Sequence, residues 1–184
     1  MLDACVLVGF PLADTVLRCA EDPAFYYPLW SDTILVEVRT ALTGKLNLSA
    51  HKADGRIAAM KKAFPEALVD GFQPLEPCLQ QINPGDRHVL GAAIRGGAGR
   101  ILTLNTRHFP EEAVAPFQIE MVSPADIIRE WFHQDADLLM KKIEQQASDT
   151  RRTREQIFMG LSRFGIPEPE CRTMLATWEV IRDS

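Results

Sequence analysis

Three carboxylates in this sequence stand among apolar residues, and their spacing is the first hint of chemistry. Asp3 adjoins the otherwise apolar run from Leu2 to Val8. Glu37 follows Ile34 by three residues and precedes Ala41 by four, so on a helix it shares their side. Asp86 precedes Val89 and Leu90 by three and four and turns the same way. A carboxylate facing a core is costly unless paired or coordinated, and three drawn together repel unless a cation sits between them. Mg²⁺ or Mn²⁺ suits such a set, because both take hard oxygen ligands and keep several waters. Each acid also has a plainer use. Asp86 can stabilise a helix N-terminus, Glu37 can lie half solvated at the edge of its face, and Asp3 can simply be exposed near the chain start. Spacing alone leaves these alternatives open.

The elements that must position them follow from the apolar pattern. Up to about Ser123, short apolar runs alternate with helical periodicity, which predicts an α/β domain with a largely parallel sheet. Leu2 to Val8 reads as a strand and "YYPLW" at 26–30 as an extended segment. Ser31 or Asp32 caps a helix that buries Ile34, Leu35, Val38, Ala41 and Leu42 and runs out near Gly44. A further helix is predicted over 49–64. "NPGD" at 83–86 opens another, with Asn83 as cap and Pro84 in the first helical position; it buries Val89, Leu90, Ala93 and Ile94. "RILTLN" at 100–105 and a short segment at 117–122 read as strands. From Ser123 on, the pattern is helical throughout, with Ile127, Ile128, Trp131, Leu138 and Leu139 on one face, then Ile157, Phe158 and Leu161, then Cys171, Met174 and Trp178. The division is therefore 1–122 and a helical extension, 123–184.

Composition narrows the classes. The 184 residues have a hydrophobic fraction of 46%, ample for a core, and no apolar stretch approaches the roughly 20 residues that span a bilayer. Four scattered cysteines without a CxxC pair suit a reducing cytoplasm. A net charge of -5 argues against a protein that coats nucleic acid, though bound metal would neutralise an acidic pocket. "GGAG" at 96–99 lacks the ending of a phosphate loop, and "RRTR" at 151–154 is the one dense basic cluster.

"LDACVLV", "WSDTILVEV" at 30–38, "NPGDRHVLGAAI" at 83–94 and "ILTLNTRHF" at 101–109 resemble the successive signatures of the PIN-domain family, with the toxins of VapC-type toxin–antitoxin pairs as the nearest branch. The resemblance implies a PIN-like three-layer sandwich, a mainly parallel sheet flanked by helices, with a C-terminal helical extension. It implies that Asp3, Glu37 and Asp86 converge on Mg²⁺ or Mn²⁺, with Asn105 where many members carry a fourth acid. Thr103 matches a hydroxyl position, and His108 stands where aspartate is common. The function so implied is metal-dependent endoribonuclease, a phosphodiester hydrolase, acting as a toxin. A catalytically weak PIN-fold RNA-binding or regulatory protein is the alternative. Arg87, Arg107 and His108 would reach flanking phosphates, although surface ion pairing explains them equally well, and His88 reads as a helix-surface histidine. The partners implied are RNA, a small antitoxin protein and a second copy of the chain, with no membrane. A phosphatase built on Asp3 ranks low, since the aspartate expected two residues later is Cys5.

Overall fold

The apolar run at the start does not continue as a strand. In the computed structural model, which describes residues 1–182, Asp3 leads into a 3-10 turn, Ala4–Val6. The Val6 and Leu7 amides there donate back to the carbonyls of Asp3 (3.2 Å) and Ala4 (3.1 Å). Leu2 keeps one parallel bridge, to Leu102. The strands β1 (Arg100–Leu102) and β2 (Glu120–Val122) pair in parallel, Ile101 opposite Met121. A second isolated bridge joins Trp30 to Leu68.

These facts correct the expected three-layer α/β sandwich with a prominent parallel sheet. Among the described residues the sheet has two strands of three residues each, and most of the chain is helical. The reason is local: each apolar run is turned aside before it can pair further. Beyond β1, the Thr103 hydroxyl accepts the Asn105 amide at 3.0 Å and the chain curls into a 3-10 turn, Thr106–His108. Pro74 and Pro77 hold Gln73–Cys78 in another.

The helices follow their caps. Ser31 accepts the Ile34 amide at 3.3 Å and starts α2 (Asp32–Gly44); Ser49 does the same for α3 (Ala50–Ala63). The earlier α1 is Leu12–Cys19. The "NPGD" segment is a turn rather than a helix start, its Asp86 amide bonded to the Asn83 carbonyl at 2.8 Å, and α4 begins one residue later (Arg87–Arg95). After the short α5 (Glu111–Val114), α6 (Pro124–Gln134) and α7 (Ala136–Asp149) are separated at Asp135, which caps α7 by accepting the Leu138 amide. Next comes α8 (Arg154–Leu161), opened by a reciprocal Thr153–Gln156 box, and then α9 (Glu168–Arg182).

The chain forms two compact units. One comprises Met1–Val8 and Tyr27–Val122, and its core gathers Trp30, Ile34, Val38, Phe72, Leu90 and Ile101. The other comprises Gly9–Tyr26 and the chain from Ser123 on, with α7 packed against α1, α6, α8 and α9. Inside the second unit, buried Gln146 accepts the Thr15 hydroxyl (2.7 Å) and donates to the Pro11 carbonyl (3.0 Å). Phe25 and Tyr26 stack on Trp131. Among the described residues no helix is long and apolar enough to cross a membrane.

Candidate functional site

Each of the three acids is already partnered, and each differently. Asp3, at the end of its bridge to Leu102, is 8% exposed. Its Oδ2 accepts the hydroxyl of fully buried Thr103 at 2.5 Å and the Cys5 thiol at 3.0 Å. Thr103 is the residue just past β1, so the two short extended segments bring its hydroxyl and Asp3 together. The Leu104 amide donates to the Cys5 sulfur at 3.2 Å. Burial, with the Asp3 charge beside it, pushes the Cys5 thiol up to about 12, so it stays protonated and serves as a donor.

Glu37 lies on the exposed side of α2, yet its Oε1 is 3.1 Å from Nε2 of His88 in α4. His88 is 7% exposed, which corrects its reading as a surface residue: α4 is buried nearly all round, from His88 through Ala93. Burial alone would lower its pKa. The hydrogen bond and charge of Glu37, with the charges of Asp3 and Glu76, outweigh that and hold the imidazole above its ordinary value. Asp86, the residue before α4, makes no side-chain cap; its Oδ2 lies 3.2 Å from His108 Nδ1. The Nδ1 atom of His88 is buried without a hydrogen-bond partner, whereas that of His108 faces the Asp86 carboxylate.

The remaining sequence candidates are nearby in the chain but differ in role. Asn105 contributes its backbone amide to Thr103, and Arg87 donates to the Ile82 carbonyl at 3.0 Å, which ties it to the preceding turn. Arg107 is exposed. Arg152 and Arg154 of the basic cluster lie over the rings of Phe10 and Trp178. The contribution of Cys5 was missed from sequence, although its place two residues after Asp3 was the available signal.

Among the described residues, no group of three or more His, Cys, Asp and Glu side chains lies close enough together to hold a metal ion. Asp3, Glu37 and Asp86 thus point to hydroxyl, thiol and imidazole partners rather than to a common centre. This overturns the expected metal-dependent endoribonuclease and phosphodiester hydrolase, and with it the toxin reading and its PIN-fold regulatory alternative. The short sheet removes the scaffold, and the separate pairing removes the preformed centre.

The comparisons agree in being narrow. No family model matches the chain, and no solved structure matches it. It is similar to the putative ribonuclease VapC50 of Mycobacterium tuberculosis (strain ATCC 25618 / H37Rv), at 49% identity over 43 residues. That stretch is 23% of this chain and spans a quarter (25%) of the relative. Likeness on this scale, set against a mostly helical fold, does not carry the PIN-domain resemblance.

Proposed function

We propose that this chain is a binding protein in which Asp3, Glu37, Asp86 and Asn105, separately partnered without metal, rearrange to accept Mg²⁺ or Mn²⁺ and, through the ion, the phosphate backbone of RNA. The observation that carries the reading is the buried, unpartnered Nδ1 atom of His88, whose other ring nitrogen meets Glu37. Buried polar atoms without partners are uncommon and mark places where a ligand or water completes the bonding. The carboxylates are held by hydroxyl, thiol and imidazole groups, and an ion would have to displace these partners. A bound divalent ion would supply the positive charge that a protein of net charge -5 otherwise lacks for phosphate. Exposed Arg107 adds one fixed charge nearby in the chain.

The same reading puts the protein in the cytoplasm, with a small partner protein and a second copy of the chain as further associates. Exposed Val36 and Leu104, next in sequence to Glu37 and Thr103, are apolar surface for such contacts. Anisotropy of a fluorescein-labelled single-stranded RNA tests it. Binding should rise with added Mn²⁺ and fall back on chelation, and Asp3→Asn or Asp86→Asn should weaken it about tenfold or more, roughly 1.4 kcal/mol. RNA binding indifferent to chelator would sink the ion's role, and absence of RNA binding in both conditions would sink the reading.

A further inference from the structure

The second unit contains a buried cation that the fold only partly satisfies. Lys142 follows Leu139 by three residues and precedes Gln146 by four, which puts it on the inward face of α7, and it is 6% exposed. Its ammonium donates to the Glu21 carbonyl at 3.0 Å, just beyond the C-terminal end of α1. That carbonyl and the negative end of the helix offset part of the charge. An ammonium carries three donors, however, and Lys142 pairs with no carboxylate among the described residues. A buried charge without a full partner is costly.

Lys142 lines a cleft of about 540 Å³ together with Asp22, Pro23, Asp137, Leu138 and Lys141, a size that suits a small molecule. Asp22 is exposed and has no partner among the described residues. Asp137 uses one oxygen to accept the Trp178 indole at 3.0 Å, which leaves the other free. Asp135, also on the cleft, already accepts the Leu138 amide. Three carboxylates and two ammonium groups therefore face the same space. The excess of acid repels a dianion such as phosphate, while the deepest group, Lys142, calls for an anion.

We infer that this cleft binds a small zwitterion of the amino-acid type, its carboxylate on Lys142 and its ammonium on Asp22 and Asp137, with an apolar side chain against Leu138 and Pro23. Both ligand charges then meet their opposites, and the complex adds no net charge to an acidic cleft.

Isothermal titration calorimetry on the full chain tests this with L-leucine, acetate, methylamine and inorganic phosphate. L-leucine should bind saturably, and each of the other three should bind at least about tenfold more weakly. Asp22→Asn, an exposed change that leaves the core alone, should weaken L-leucine about tenfold with an unchanged far-UV circular dichroism spectrum. Lys142→Met should abolish binding where it folds; if it does not fold, the Asp22→Asn result decides. No binding of L-leucine to the natural chain would overturn the inference. So would acetate or phosphate matching L-leucine, or L-leucine binding that ignores Asp22→Asn.

Discussion

At the residue scale, His88 governs how the candidate site responds to its surroundings. Its imidazole is held above the ordinary value of 6.5, because the hydrogen bond and charge of Glu37 and the charges of Asp3 and Glu76 overcome the effect of burial. The sign of the consequence follows. A group that binds its proton more tightly when folded contributes stability that is fully present below the unfolded value and is lost as pH rises through the folded one. In chelator, the urea midpoint should therefore fall as pH increases from 6.5 upward, with the Glu37→Gln variant showing a flatter profile. Equal slopes in the two proteins would mean that the Glu37 contact does not hold the proton. The chemistry here differs from what the bare sequence suggests. Asp3, Glu37 and Asp86 were legible as unusual acids, and Asp3 is indeed buried. Their partners were not, since Thr103, His88 and His108 reach them across long chain separations that no local period encodes.

At the scale of elements, small residues decide which helices can approach. A methyl group on Gly91 of α4 would rest at ordinary contact distance, 3.5 Å from Phe72. One on Gly160 of α8 would fall 2.9 Å from two ring carbons of Pro11, which cannot swing aside. Gly91→Ala should then stabilise by about 0.5–1 kcal/mol through helix propensity, while Gly160→Ala should cost about 1–3 kcal/mol by overpacking. Urea denaturation of the two variants checks both, and a stable Gly160→Ala protein would show that α8 can shift. The helix interiors were readable in advance from periodicity, with Ser31 as a named cap; in the structure Ser31, Ser49, Ser123 and Thr153 each accept the amide three residues on. The strands were not. Leu2 to Val8 and "RILTLN" have the composition of buried strands, but Asp3 and Thr103 form side-chain and turn bonds that end the extended backbone early. Apolar composition records burial; it does not record how far neighbouring segments run alongside one another.

At the scale of the whole molecule, the segment 9–26 raises a question that the two-part division at 122/123 leaves to experiment. It lies early in the chain but clusters with the helices from Ser123 on. Its helix α1 buries Leu12, Ala13, Val16 and Cys19, and α1 packs on α7. Within that unit Thr15 satisfies Gln146, and Phe25 and Tyr26 cover Trp131. A chain ended after Val122 keeps α1 but loses α7, so this apolar face has nothing of its own unit to pack against. Exposed apolar surface of several large side chains promotes association and dye binding. Residues 1–122 alone should therefore bind the hydrophobic dye 1-anilinonaphthalene-8-sulfonate strongly and aggregate on concentration. Substituting Val16→Ser and Leu12→Ser in that fragment should reduce both effects, because the remaining core of Trp30, Ile34, Leu90 and Ile101 belongs to the other unit and is untouched. A fragment 1–122 that stays monomeric and silent to the dye would show instead that α1 finds cover without the C-terminal helices, making 1–122 self-sufficient.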